Sequence, residues 1–379
     1  QTTEVLPELL DVRDLPAWAV KARFGVGICE RGACRRMKKL LNTLYVTIPD
    51  TYLRLDGESV VICGEEDVIG RIPLINLQSI VCFSYKGVSP ALLGACAERG
   101  IEVCFLSNHG RFLARVCGPV HGNVLLREAQ MTLSVDDGRS LEAAKTFIEA
   151  KIYNCRWGIE RTLRDHPQRV DEDALRDAIE QHKKCLEQVP SAVDNGELMG
   201  IEGAAAKAYF GVFDQMILRN KDDFRFDERN RRPPTDRVNA LLSFTYTLLT
   251  NEICGALESV GLDPYVGYLH KKRPGRCSLA LDILEELRAA FADRFVLSQI
   301  NLGAVNGDDF DTKENGAVFL KDDARKKFLT AWQTRKQEMM THPFLGEKMQ
   351  WGLVPYSQAM LFARWLRGDL DAYPPFFWK

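Results

Sequence analysis

The sequence predicts an α+β protein: an N-terminal β-rich domain with one helix, then a C-terminal all-α domain. Three observations carry this. Short β-branched runs broken by turn residues fill the stretch from about 43 to 119. After Gly122 the apolar spacing changes to long helical patterns. The 379 residues also exceed one ordinary domain of about 100–200 residues, so two are expected.

Taken in order, Thr43–Thr47, Tyr52–Leu55, Ser59–Cys63 and Val68–Ile72 read as strands, divided by Asp56-Gly57 and by Glu65-Glu66-Asp67. Leu77–Phe83 continues the sheet. Ser89–Arg99 has a serine cap and proline at the first helical position, which predicts a helix that Gly100 ends. Ile101–Leu106 and Arg111–Cys117 predict a hairpin across Asn108-His109-Gly110. The following helices are expected over 123–132, 139–165, 171–188, 195–217, 234–260, 277–298, 322–340 and 355–367, with no strand among them. Asp194-Asn195 and Asp236 are start signals. The expected division is 1–36, an N-terminal appendage without sustained period; 37–120, the β-rich domain; and 121–379, the helical domain.

Lys and Arg number 50 against 52 Asp and Glu, a net charge of −2, so no basic excess of the whole chain argues for nucleic acid. A local basic patch remains open, because the field at a site depends on nearby charges. Eleven cysteines form no CxxC pair and mostly sit in apolar runs, where a reduced thiol is a small hydrophobe. The odd count in a large chain predicts a reducing, cytoplasmic setting. Cys29 and Cys34 are the one close pair, and two ligands alone make no metal site. No signal pattern opens the chain, and the most apolar stretch, Val238–Leu249, is too short to span a bilayer.

Polar residues in apolar settings are the candidates for chemistry. Glu202 stands in an alanine- and glycine-rich helix expected to pack on most sides. An unpaired carboxylate there is costly unless it is protonated or compensated, by a bound cation or else by an Arg or Tyr partner. Asp282 lies among four aliphatic residues, and Glu285 follows one helical turn later on the same face. Two such carboxylates make half of an oxygen-rich site for a hard divalent ion. The alternative is a solvated stripe paired to Arg288, the favoured reading for Glu286. His270 is followed by Lys271, Lys272, Arg273 and Arg276, which lays positive charge beside the acidic helix as a phosphodiester requires. A solvated loop is the rival reading. Arg225, Arg229, Arg231 and Arg232 are suited to sequence-blind backbone contacts, although Asp222, Asp223, Asp227 and Glu228 interleave with them. The other five histidines read as structural. No GxGxxG after a strand, GxxxxGK[ST], GxSxG or HExxH occurs.

These residues resemble a known family, the metal-dependent integrases of CRISPR adaptation, from about Met37 to the C-terminus. Glu202-Gly203 with Ala206 and Tyr209-Phe210 is similar to its Glu motif. His270, Gly275, Ser278-Leu279, Asp282 and Glu285-Glu286 resemble its His motif. Pro233-Pro234, Asp236, Asn239–Ser243 and Tyr246 resemble its Asn-rich block, and Met37–Val46 is similar to members from type I systems, with subtype C expected.

The resemblance implies Glu202, His270 and Asp282 as ligands of Mg²⁺ or Mn²⁺, with Glu285 as an auxiliary acid where many relatives carry a second Asp. It implies insertion of new spacers: a DNA 3′-hydroxyl attacks a phosphodiester of the CRISPR repeat. The basic residues listed above would hold the DNA. It further implies a homodimer through the β-rich domain and a dimer of a small ferredoxin-like partner flanked by two such dimers. An iron–sulfur nuclease that trims DNA ends belongs to related systems, and no membrane is involved. Residues 1–36 depart from the family. The rival readings are a plain metal-dependent DNA nuclease, a non-catalytic DNA-binding scaffold, and a recombinase with Tyr246 or Tyr209 as nucleophile.

Overall fold

The computed structural model describes residues 43–379 except 49, 66, 84–85, 108–111, 117 and 119–123. The expected appendage 1–36, the Met37 opening, Cys29, Cys34 and the Asn108-His109-Gly110 turn lie outside the described residues.

The N-terminal part holds two sheets. Strands β1 (Thr43–Val46), β5 (Ser79–Cys82), β6 (Glu102–Leu106) and β7 (Phe112–Val116) form one in that order; β1, β5 and β6 run parallel, and β7 pairs antiparallel to β6. Strands β2 (Tyr52–Asp56), β3 (Ser59–Cys63) and β4 (Val68–Pro73) form an antiparallel meander. Its first turn uses Gly57 at φ +58°, a region where a Cβ is disfavoured. Helix α1 (Pro90–Arg99) crosses from β5 to β6. Ser89 Oγ accepts from Leu92 N at 3.2 Å to start it, and Gly100 at φ +65° ends it. Leu92 and Cys96, four residues apart on one face, enter a core shared with Val46, Leu53, Val60, Ile80 and Val103.

The C-terminal part is mostly helical: α2 (Val124–Val135), α3 (Asp137–Asp165), α4 (Glu172–Gln188), α5 (Asn195–Gly211), α6 (Arg237–Ser259), α7 (Ser278–Leu287), α8 (Arg294–Asn301), α9 (Asp322–Gln337) and α10 (Val354–Leu366). Asp136, Asp171, Asp194 and Asp236 cap α3 to α6, each accepting a backbone N–H three residues on. Helix α3 packs against α4, α5 and α7 and forms the spine of this part.

The structure corrects three expectations here. Two short antiparallel hairpins occur, β8 (Phe310–Thr312) with β9 (Val318–Leu320) and β10 (Met339–Thr341) with β11 (Lys348–Gln350). Three-residue strands are too short to display an alternating pattern. The helix expected over 277–298 is broken by a π-helical turn at Arg288–Asp293. The helix expected over 195–217 stops at Gly211 and passes into a 3₁₀ turn.

The outer face of the four-stranded sheet joins the helical core, where Val81, Phe83, Cys104 and Leu106 cluster with residues of α3, α6 and α7. Phe83 and Phe244 stand 6.3 Å apart between ring centres. Arg115 binds Glu102 at 3.6 Å and also Glu258, and Lys336 donates to Glu252 at 2.9 Å. Among the described residues no helix is long and apolar enough to cross a membrane.

Candidate active site

Three elements meet at one place: α3 brings Lys151, α5 brings Glu202, and α7 with its following turn brings Asp282, Glu285 and Arg288. The loop before α7 carries His270. A small apolar cluster fixes their relation, because Ile148 and Ile152 of α3, Leu198, Ile201 and Ala205 of α5, and Leu269 pack together. The alanine-rich helix does not pack on most sides, as its composition suggested. Leu198, Ile201, Ala205 and Tyr209 are buried, whereas Gly200, Gly203, Ala204 and Lys207 are exposed. The small residues therefore leave an open surface beside Glu202.

The His270 loop is held by its backbone. Asp282 is fully buried. Its Oδ2 accepts from Tyr268 N at 2.7 Å and Leu269 N at 3.2 Å, and its Oδ1 from His270 N at 3.0 Å. His270 Nδ1 lies 2.7 Å from the same Oδ1. With a carboxylate acceptor there, Nδ1 bears the proton and Nε2 is left with a lone pair. Gln130 holds the loop from below, donating to Asp263 O at 2.8 Å and accepting from Asp263 N at 3.0 Å. Gly267 permits the close approach to α7, since a Cβ there would lie 2.6 Å from Ser278 Cβ and 2.8 Å from Asp282 Oδ2.

Glu285 faces the other way. His270 Nε2 lies 3.8 Å from its Oε1, Arg288 Nη1 3.1 Å from Oε1, and Lys151 Nζ 2.8 Å from Oε2. Lys151 also binds Glu202 Oε1. Burial alone would raise the Glu285 carboxyl, but Arg288 first and then Lys151 outweigh it, and the carboxyl is held at about 2. Burial likewise works against the Lys151 ammonium, yet Glu285 and Glu202 keep its pKa above the ordinary lysine value. Among the described residues no three or more His, Cys, Asp or Glu side chains converge as a metal-binding group. At this point the positive charge between the two carboxylates is Lys151.

Behind this lies a second polar layer. Tyr209 and Tyr246 donate to buried Asp293 at 3.0 and 2.5 Å. Burial raises Asp293 to about 6, against the pull of both phenols. Both phenols are themselves pushed well above their ordinary value, by burial first and then by Asp293, so neither is poised as a nucleophile. The guanidinium carbons of Arg229 and Arg288 lie 5.3 and 5.2 Å from the Tyr246 ring centre.

Of the basic residues, Lys271, Lys272, Arg273, Arg231 and Arg232 are exposed. Arg276 turns back on its own loop to Lys271 O, and Arg225 is paired with Asp227 at 2.9 Å. Arg229 is the clearest departure from its expected place on a DNA-facing loop. It is committed inward, donating to Asn239 Oδ1 at 2.6 Å and Ser243 Oγ at 3.1 Å. Glu286 also departs from the solvated position expected for it. It is fully buried, accepting from Tyr373 Oη, Phe376 N and Gln358 Nε2 at 2.7 to 2.8 Å.

The residue that sequence reasoning missed is Lys151. A signal existed: it stands among Phe147, Ile148, Ile152 and Cys155, an apolar setting in which a lysine requires an anion.

A strand-rich part joined to a helical part, with carboxylates, an imidazole and cations meeting on one partly open face, defines a protein equipped to handle phosphodiesters. Residues 44–334 match the family described as CRISPR associated protein Cas1. The chain is 52 % identical to a CRISPR-associated endonuclease Cas1 of Chlorobaculum tepidum, over 90 % of this chain and 100 % of that one. Its fold is similar to that of a casposase bound to integration product (TM-score 0.76, 24 % identity, 89 % of this chain and 93 % of that one). It is similar also to a chain of a Cas6-RT-Cas1–Cas2 complex (TM-score 0.75, 21 % identity, 92 % of this chain and 37 % of that one). The chain belongs to the CRISPR associated protein Cas1 family.

Proposed function

We propose that this protein is a metal-dependent DNA endonuclease and integrase that inserts short DNA fragments into a CRISPR array, with Glu202, His270 and Glu285 as the groups that hold the ion. The endonuclease class follows from family membership. The observation that carries the site is the orientation of His270: Asp282 occupies Nδ1, and Nε2 is turned toward Glu285. Two carboxylates and a neutral imidazole suit a hard divalent cation, and the nitrogen donor suits Mn²⁺ somewhat better than Mg²⁺. When bound, the ion polarises the phosphoryl oxygen and lowers the pKa of the attacking hydroxyl.

The remaining steps belong to the chain. Asp282 acts through His270 and the loop backbone, and is therefore a positioning residue rather than a ligand. Lys271, Lys272, Arg273, Arg231 and Arg232 contact DNA phosphates without reading sequence. Arg225 and Arg276 assist once released from their present partners, whereas Arg229 works from inside by ordering Tyr246. The exposed Gly203 and Ala204 let a duplex approach Glu202 closely.

Family membership also supports the assembly: residues 37–120 pair two chains into a homodimer, 121–379 carry catalysis, and a small ferredoxin-like partner dimer sits between two homodimers. An iron–sulfur nuclease trims the incoming ends, and the source system is type I.

The test supplies a short duplex with free 3′-hydroxyl ends, a plasmid bearing the repeat, the partner protein and Mn²⁺. Joined products are expected from the wild type and are lost with Glu202→Ala and His270→Ala. Nicks alone would reduce the reading to a nuclease, and unchanged products from Glu202→Ala would leave only a scaffold.

A further inference from the structure

The cluster holds a cation of its own. Lys151 Nζ lies 2.8 Å from Glu285 Oε2 and also binds Glu202 Oε1, so one ammonium neutralises two of the three groups assigned above to a metal ion. A hard divalent cation and an ammonium compete for the same oxygens, because each is attracted to them and the two repel one another. Lys151 therefore must yield when the ion arrives, and it sits on the buried face of α3, with little freedom to swing into solvent.

The structure contains a place for it. A cavity of about 20 Å³ adjoins the cluster and is lined by Lys151, His182, Tyr209, Tyr246, Arg288 and Asp293. This is room for one water-sized group, and an ammonium head is of that size. His182 is fully buried, and its Nδ1 lies 2.7 Å from Ala178 O, which only a protonated Nδ1 can satisfy. Its Nε2 is thereby an acceptor, and that atom is buried with no hydrogen-bond partner. A bare buried acceptor is rare in folded proteins and calls for an explanation. Asp293 supplies the negative charge on the same cavity.

We propose that Lys151 is a displaceable counter-cation: it joins Glu202 to Glu285 in the metal-free protein, and metal binding drives its ammonium into the cavity, where His182 Nε2 and Asp293 receive it. The inference rests on the reading of Glu202, His270 and Glu285 as ligands. It gives α3 and His182 a role in metal affinity without contact to the ion.

The experiment measures Mn²⁺ affinity by electron paramagnetic resonance on the full chain, without DNA. Lys151→Met is expected to bind Mn²⁺ about tenfold more tightly than the wild type, as the competitor is gone. Lys151→Arg keeps the charge but is too large for the cavity, and is expected to bind about tenfold more weakly. His182→Leu is expected to weaken binding when Lys151 is present and to change nothing in a Lys151→Met background. Should Lys151→Met fail to fold, the Arg and Leu variants decide. Equal or weaker binding by a folded Lys151→Met, or His182→Leu without effect beside Lys151, overturns the counter-cation while Glu285→Gln still weakens binding. Glu285→Gln with unchanged affinity overturns the ligand assignment itself, and the proposal with it.

Discussion

Asp282 and Glu285 stand one helical turn apart on α7 and do different work. Asp282 spends its oxygens on three backbone N–H groups and the His270 ring, whereas Glu285 meets only side-chain cations and the His270 edge. The spacing puts both on one face, and it is the family resemblance that makes Asp282 the expected ligand and Glu285 the auxiliary acid; neither counts the donors each carboxylate receives. The two roles separate by measurement. Asp282→Ala is expected to leave buried N–H groups unpaired and to destabilise the protein by about 3 kcal/mol in a denaturant titration. Glu285→Gln is expected to keep the fold, as read by circular dichroism, while Mn²⁺ affinity and joining fall by at least about tenfold. A stable Asp282→Ala that has lost all metal affinity would reverse the assignment. Glu202 stands out in the sequence as a carboxylate among small and apolar residues, His270 through the basic run after it and the family resemblance, and Lys151 carries a signal of the same kind as Glu202 within a long helix.

At the scale of elements, the starts at Ser89, Asp194 and Asp236 and the stop at Gly100 are readable because such signals are local, whereas the caps Asp136 and Asp171 of α3 and α4 emerge only in the structure. The break after Leu287 was not. A π-helical turn inserts one residue into the ladder, and here it directs Arg288 toward Glu285 and Asp293 toward the two tyrosines. Nothing in Arg288–Asp293 taken alone disfavours a continuous helix; the partners that its side chains meet lie on α5, α6 and α7. The His270 loop depends on one missing side chain. Gly267→Ala is expected to lower stability by about 2 kcal/mol and to slow joining, since its Cβ would displace Ser278 or Asp282. Thermal melts and rates check this, and a neutral substitution would show that the loop does not lie as close to α7 as the structure places it.

The whole molecule is closed by its C-terminal segment. Tyr373 and Phe376 fold back over α7 and bury Glu286, and Asn154 of α3 donates to both Glu286 O and Phe376 O at 2.7 Å. Burial raises the Glu286 carboxyl to about 8, from an ordinary 4.5, against the three hydrogen bonds it accepts. Between these values the unfolded chain releases a proton that the folded protein keeps, so stability falls as pH rises through this window and levels off above it. Glu285, held at about 2, acts on the opposite side, and its stabilisation is lost as pH falls below about 4.5. Glu286→Gln is expected to remove the decline it causes, so its melting temperature should gain on the wild type from pH 5 to 8 by a few degrees. Parallel curves for the two proteins would show that the segment does not seal this group from water.

The sequence by itself determined the α+β order of elements, the helix starts, and the residues whose chemistry is costly to bury. These depend on neighbours a few positions away, so they survive without the fold. Only the tertiary structure decided that Asp282 binds the loop backbone while Glu285 meets the cations, that Arg229 and Glu286 turn inward, and that Lys151 stands between two acids. Those outcomes depend on which donors and charges arrive from distant segments, and in a low-dielectric interior that arrival outweighs any local preference.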